Sequence, residues 1–250
     1  MAVLINELGK NMFFSDIYER FSKAFFVQDR WKLYLEGLGN TIIIALLATL
    51  IGTILGVTFA MIKYVNKKSK KLKFLSKIID VYITVIRGTP VVLQLMIMYF
   101  IVFAGWDQGV LIGAITFGLN SSAYVAEIAR AGFESVDDGQ MEAGRSLGMS
   151  TWQTMRHIII PQAIKNCLPP LFNEFITLVK ETAIIGYLGV NDLGKIPGLI
   201  QSRTFDYLFP LIIAAVMYLI IVMFLTKILH IIEKRFSKSD RVGGAIDGKQ

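Results

Sequence analysis

Residues 137–163 read DDGQMEAGRSLGMSTWQTMRHIIIPQA. This polar stretch sits between two long apolar runs, and its reading decides the fold. It is too polar to cross a bilayer and long for a loop that merely joins two spans. The pattern predicts two helices. The first runs from about Gln140 to Leu147 and stops at Gly148, where glycine can take the left-handed conformation that ends a helix. The second opens at Ser150, with Gln153 three residues on, which is a capping box, and continues to Pro161. A short helix, a glycine bend and a second helix make a rigid knob at the bilayer surface. Such a knob either transmits force to a soluble partner or is an ordinary interfacial pair.

The composition supports a membrane setting. The chain of 250 residues is 54% hydrophobic and 18% charged, with mean hydropathy +0.56. Soluble domains carry about 25% charged residues. The balance excludes a disordered chain and a collagen-like fibre. The net charge of +7 reflects Lys and Arg retained on the cytoplasmic side of a membrane, so no nucleic-acid partner is expected.

A span needs about 20 mostly apolar residues. Five are predicted, giving an all-α membrane protein: Gly37–Ile62, Val81–Ala104, Gly109–Ala131, Ala163–Leu188 and Tyr207–Ile232. In the first, Gly52 and Gly56 form a GxxxG pair that lets another helix approach closely. The second carries Arg87 and Pro90, and the fifth has Pro210 near its start. Lys63, Lys67, Lys68, Lys70, Lys71, Lys73 and Lys77 follow the first span without an acid. Lys227, Lys234, Arg235, Lys238, Arg241 and Lys249 cluster around the end of the last. The positive-inside rule puts both groups in the cytoplasm, with the N-terminus outside and the C-terminus inside. The same parity puts the knob, about 132–162, in the cytoplasm.

Three regions follow: an N-terminal extension over 1–36, a membrane domain over 37–232 and a basic tail over 233–250. Within the first, Phe13/Phe14, Ile17/Tyr18, Phe21 and Phe25 recur at three-to-four spacing between charged residues. That is either an amphipathic helix in the membrane interface or an extension that orders only on packing. It lacks the apolar run of a cleaved signal.

Ionisable and polar groups inside spans are costly and mark functional candidates. Asn120, Tyr124 and Glu127 share a face of the third span, with Ser122 beside them. Glu174, Thr177 and Glu181 share a face of the fourth, and Asn173, Thr177 and Lys180 form the neighbouring stripe. These faces either line a polar pathway or are tied up internally, Glu127 with Arg130 or Arg87 and Lys180 with Glu181.

No catalytic set is legible. Cys167 is the sole cysteine and reads as a small core residue, and His157 and His230 lie too far apart for a metal cluster. Gly189-VNDL-Gly194-Lys195 imitates a phosphate loop, but Ile196 stands where Ser or Thr must bind Mg²⁺. The segment also follows a membrane span, not a strand.

Glu142-Ala143-Gly144, then Gly148, Ile158, Ile160 and Pro161, resemble the EAA signature of ABC-importer permeases. The spacing matches throughout, with Gly144 in place of the second alanine and Ile160 in place of leucine. Arg87-Gly88-Thr89-Pro90, NSSAYVAEIARAG over 120–132, the NEF of 173–175 and Lys180-Glu181-Thr182-Ala183 resemble segments of the polar-amino-acid subgroup. The resemblance covers roughly Tyr34 to Arg235. It implies a type I importer permease fold of about five membrane helices with a cytoplasmic coupling helix. It also implies a second permease chain, identical or paralogous, two cytoplasmic ATPase subunits and an external amino-acid-binding protein. ATP and Mg would sit on the ATPases, with no cofactor on this chain. Gly139, Gln140, Glu142, Ala143, Gly144, Leu147, Gly148 and Pro161 would form the coupling element. Gly144 lowers helix propensity by about 1 kcal/mol relative to alanine, so a softer first helix is expected. The substrate would be arginine, lysine, histidine or glutamine. A competing class is an ion-coupled secondary transporter with Glu127 or Glu174 carrying the proton, although such folds usually show more spans or internal repeats.

Overall fold

The computed structural model describes residues 15–244, and the side chains of all of them except 68, 69 and 236–244. Phe13/Phe14, Lys249 and the side chains of Lys68, Lys238 and Arg241 lie outside this description. The described residues are helical throughout, joined by short turns: α1 (residues 15–25), α2 (Arg30–Ser69), α3 (Lys73–Gly88), α4 (Val91–Ile97), α5 (Gly109–Glu134), α6 (Gly139–Ser146), α7 (Thr151–Thr154), α8 (Ile160–Glu181), α9 (Ile196–Thr204) and α10 (Leu208–Gly244).

Helix α2 has 40 residues, about 60 Å at 1.5 Å per residue. That is twice the hydrocarbon thickness, so the expected span is only its middle. Its most extensive partner is α5, and small residues make that contact possible. A Cβ built on Gly56 would lie 2.6 Å from the Val125 Cβ and 2.7 Å from the Ser122 carbonyl oxygen. One built on Gly52 would lie 2.9 Å from the Ser121 Cβ, and one on Gly118 would lie 2.7 Å from the Ile51 Cβ. Glycines on both helices therefore let the two backbones approach.

The second expected span is corrected. It is not one continuous helix: α3 begins at Lys73, and α3 and α4 meet at a bend of 107°. Pro90 has no N–H to continue the helix, and its ring drives Thr89 to extended backbone (φ −120°, ψ 146°). A side chain satisfies what the break exposes. Gln94 Nε2 donates to the Ile86 carbonyl at 2.8 Å and to Thr89 Oγ1 at 2.7 Å. Asn120 Nδ2 in turn donates to Gln94 Oε1 at 2.9 Å, tying the bend to α5.

Among the described residues three helices are long and apolar enough to cross a membrane, and the bent pair can make a fourth. The fourth expected span coincides with α8, which is 22 residues long but carries Lys165, Glu174, Lys180 and Glu181. It packs against α2, α5 and α10, so it belongs to the bundle despite its polarity. It ends at Glu181, short of the expected Leu188, and a tighter 3-10 turn follows over Thr182–Leu188.

Helix α1 is docked on the bundle. Arg20 donates to both carboxylate oxygens of Asp206, at 2.9 and 3.1 Å, and lies 5.3 Å over the Phe209 ring. The Arg20 guanidinium holds the Asp206 carboxyl below the usual range. Ala24 is buried beside Tyr34, Leu193, Ile196 and Ile200, with Phe21 and Phe25 packed on them. The aromatic stripe thus faces protein as well as any interface.

The glycine contact yields a prediction. Gly56→Ala adds a methyl where backbone and a β-branched side chain already touch. It should destabilise the purified protein by about 1–3 kcal/mol, seen as a lower midpoint in thermal unfolding. Gly39→Ala, with nothing within 4 Å of its added Cβ, should leave the midpoint nearly unchanged.

Candidate functional site

The surface knob is built much as its sequence dictates. At the start of α6 the Gly139 N–H donates to Asp137 Oδ1 at 2.7 Å. At its end Gly148 takes φ +83°, and the Met149 N–H reaches back to the Gly144 carbonyl at 3.1 Å. The capping box forms: the Gln153 N–H donates to Ser150 Oγ, and the Ser150 N–H donates to Gln153 Oε1.

Two details differ from expectation. The second helix does not stop at Pro161 but runs on into α8. Pro161 lacks the N–H that the His157 carbonyl needs, and the register widens over Met155–Ile159, where the Ile160 N–H donates to the Met155 carbonyl. Gly144 is also more than a weak helix former. A Cβ there would lie 2.5 Å from Thr154 Cγ2, and Thr154 is fully buried with its hydroxyl donating to the Ser150 carbonyl. Glycine is what lets α6 lie against α7.

Gly139, Gln140, Glu142, Ala143, Leu147 and Gly148 are exposed, and Gly144 faces inward. Pro161 is exposed at the start of α8. Leu147, 82% exposed, and Trp152, 64% exposed, give the knob an apolar crown. Trp152 escaped the sequence reading because it lies outside the motif spacing. Val136, Ile159 and Ala163, with Phe133, Met141 and Met155, pack beneath.

The polar residues of the two middle helices divide into committed and uncommitted groups. On α5, Asn120 is bound to Gln94. Ser122 Oγ donates to the Leu119 carbonyl and lies 2.9 Å from the Tyr82 hydroxyl. Tyr124 lies under Arg87, whose guanidinium carbon is 5.2 Å from the ring centroid. Glu127 accepts from Arg130 at 2.7 Å and lies 3.7 Å from Lys63, which also pairs with Asp80 at 2.7 Å. The face on α5 therefore anchors α3, α4 and the end of α2.

On α8 the picture is the opposite. Glu174 accepts one hydrogen bond, from Ser121 Oγ at 2.8 Å. Asn173, Thr177, Lys180 and Glu181 make no side-chain hydrogen bond and no ion pair among the described residues. The expected Lys180–Glu181 pair is not formed. Below Glu174 a groove of about 590 Å³ is lined by Arg87, Glu127, Arg130, Ser135, Asn166 and Pro170. Ser121 and Arg87 were not among the sequence-derived site residues. Ser121 lies one turn before Tyr124, and Arg87 stood in a quoted motif, so both had a signal.

The imitation phosphate loop is closed on itself. Asp192 is fully buried within it and accepts from the Gly194 and Lys195 N–H groups at 2.9 and 3.1 Å. Lys195 Nζ donates to the Gly189 carbonyl. The donors that would cradle a phosphate are spent inside the loop. Among the described residues no group of three His, Cys, Asp or Glu could hold a metal ion.

The described residues form a bundle of membrane-length helices with an uncommitted polar stripe along α8 and a knob at one end, the architecture of a multi-pass membrane protein. Comparison with known proteins fixes which kind. Residues 52–238 match the model of the family described as the binding-protein-dependent transport system inner membrane component. A putative glutamine transport system permease of Rickettsia bellii is 43% identical over 205 residues, covering 80% of this chain and 91% of that protein. An arginine transport system permease of Bacillus subtilis is 39% identical over 215 residues, covering 82% and 93%. The crystal structure of an amino acid ABC transporter with histidines superposes with a TM-score of 0.74 at 42% identity, covering 82% of this chain and 94% of that one. A methionine ABC transporter at 19% identity and TM-score 0.72 shares the fold. The chain belongs to this family and is an ABC-importer permease of the polar-amino-acid type, not an ion-coupled secondary transporter.

Two predictions follow from the local geometry. Gly144→Ala, favourable by helix propensity, should instead destabilise the knob, because the methyl meets Thr154. We expect a lower thermal midpoint and faster amide exchange over 139–161, and Gly144→Ala with Thr154→Ser should recover part of the loss. Burial pushes the Asp192 carboxyl up to about 6 from 3.8. The folded state then holds this proton at pH values where the unfolded chain has lost it. The group's contribution to stability is therefore full below about pH 4 and is lost as pH rises through about 6, a change of at most roughly 3 kcal/mol. In Asp192→Asn, which cannot ionise, the difference in unfolding midpoint from wild type should drift over that window and be flat above it.

Proposed function

We propose that this permease passes a polar or basic amino acid (arginine, lysine, histidine or glutamine) along the uncommitted stripe of α8. Asn173, Glu174, Thr177, Lys180 and Glu181 have hydrogen-bonding capacity to spare along α8, with Glu174, Thr177 and Glu181 half-buried and Asn173 and Lys180 exposed, and that is the observation that carries the reading. Two acids beside one Lys favour a cationic side chain, and Asn173 with Thr177 suits the amide of glutamine. The glutamine and arginine permeases among the relatives support the same range. Asn120, Ser122, Tyr124 and Glu127 take part at the margin of this path while holding α3 and α4 in place.

The exposed face of the knob, from Gly139 to Gly148 with Pro161 behind it, is the coupling element. Leu147 and Ala143 offer apolar contact, and Glu142, in the first turn of α6, is favoured there by the helix dipole and is available to a basic partner. Two cytoplasmic ATPase subunits bind ATP and Mg and each receive such a knob. This chain carries no ATPase site of its own. A second permease chain completes the pathway, and an external binding protein delivers the amino acid. The positive residues at the end of α2 and along the last turns of α10 support a cytoplasmic knob and C-terminus and an outer N-terminus. The membrane domain is 37–232, with 1–36 an outer interfacial extension and 233–250 a basic tail.

The test uses the purified permease–ATPase complex without a binding protein. Labelled arginine, lysine, histidine and glutamine should include one that binds stoichiometrically, with affinity reduced at least tenfold in Glu174→Gln. Gly148→Asp, which strains a left-handed position in the knob, should insert in the membrane yet fail to retain the ATPase on purification. Unchanged binding in the first variant would remove the α8 stripe as the site. Normal ATPase retention in the second would remove the coupling assignment.

A further inference from the structure

Arg87 carries a charge that the fold leaves without an ion-pair partner among the described residues. It lies at the end of α3, one residue before Gly88 and the 107° bend. Its side chain is exposed and has no carboxylate within ion-pair distance among the described residues. The nearby acid Glu127 is already shared between Arg130 and Lys63. A guanidinium stays charged at every physiological pH, and inside a membrane span it must face water or a partner rather than lipid. The structure supplies the space: Arg87 lines the groove of about 590 Å³ that descends along α5 from Glu127 to Ser135 and along α8 from Pro170 to Asn166. Its guanidinium lies over the face of Tyr124 and within the field of Glu127, and among the described residues neither takes up its N–H donors.

The position of this charge relative to Glu174 matters. Tyr124, which carries Arg87, and Ser121, which binds Glu174, are three residues apart on α5. That is one helical turn, about 4.5 Å of rise. On α8, Asn166, Pro170 and Glu174 succeed one another at four-residue intervals, so the groove wall leads up to Glu174 on one face. A cation with N–H donors to spare and a carboxylate with capacity to spare are therefore hung from the same helix one turn apart, the cation in the wall of the groove and the carboxylate one turn beyond Pro170. A lone negative site would suit any cation. A paired positive and negative site suits a zwitterion.

We infer that Arg87 receives the α-carboxylate of the amino acid as it leaves Glu174 for the groove. The guanidinium fork accepts a carboxylate through two parallel N–H donors. Arg87 is then a specificity-determining residue for the α-carboxylate, whatever the side chain of the amino acid. The inference rests on the proposed transport of an amino acid along α8.

The test is ATP-driven uptake by the full complex, reconstituted in liposomes with its ATPases and binding protein preloaded inside and outside respectively. It compares L-arginine and L-glutamine with their decarboxylated counterparts, agmatine and 4-aminobutanamide. Because a binding protein could impose the same preference, binding to the detergent-purified complex without it is measured in parallel. Wild type should bind the amino acid at least tenfold more tightly than the decarboxylated form. Arg87→Gln should lose most of that preference by weakening only the amino acid, and Arg87→Lys should recover part of it. Retention of the ATPase on purification shows that each variant is assembled. An assembled Arg87→Gln complex that keeps the wild-type preference overturns the role of Arg87 and leaves amino-acid transport standing. A wild-type complex that takes up neither amino acid nor any other polar amino acid overturns the proposed function itself.

Discussion

The approach of α2 to α5 through glycine is the constraint on which the rest of the structure depends. In lipid there is little hydrophobic gain from pressing two helices together, so close packing must supply it. Gly52, Gly56 and Gly118 let backbone meet backbone. That contact fixes the rotation of α5, and with it the placement of every polar side chain along the helix. Ser121 is turned toward α2 and Glu174, Asn120 toward the bend, and Glu127 toward the basic end. A rotation of α5 by even one residue would scatter these partners.

The bend between α3 and α4 shows how an irregular backbone survives at membrane depth. A broken helix frees carbonyls that lipid cannot satisfy. Gln94 folds back onto Ile86 and Thr89, and Asn120 holds Gln94. The polar residues of α5 are thus spent on maintaining a break, and the break is what brings Arg87 to the end of a helix beside open space. Polar side chains in a transport subunit serve two purposes here, and hydrogen-bond commitment separates them: α5 supports and α8 offers.

Much of this was legible in the sequence. The glycine stop at Gly148, the Ser150 capping box and the GxxxG of α2 are local signals whose physics is complete within a few residues, and each appears as expected. The failures come from longer range. A run of apolar residues cannot say whether Pro90 bends a span or breaks it, because the answer lies in whether a side chain elsewhere can satisfy the freed carbonyls. Helix periodicity correctly put Asn120, Tyr124 and Glu127 on one face, but it could not say that α3 occupies that face. Gly144 has a second side that propensity does not weigh: Thr154, ten residues on, decides what fits there.

The knob is a small element with two unlike faces. Its outward face has few side chains that pack on anything else, which leaves Leu147, Ala143 and the glycine turn open to a partner. Its inward face is the reverse, with Gly144 jammed against Thr154 and an apolar cluster of Val136, Ile159 and Ala163 beneath. From there the chain runs without interruption through the widened turn of Met155–Ile159 into α8. Between the knob and Asn173, Glu174 and Thr177 lie the widened turn and two prolines inside α8, Pro169 and Pro170, and the helix continues through both. The wider turn at Pro161 preserves continuity where a proline would otherwise have cut it, and that continuity links the exposed face of the knob to the polar stripe of α8 that we propose as the pathway.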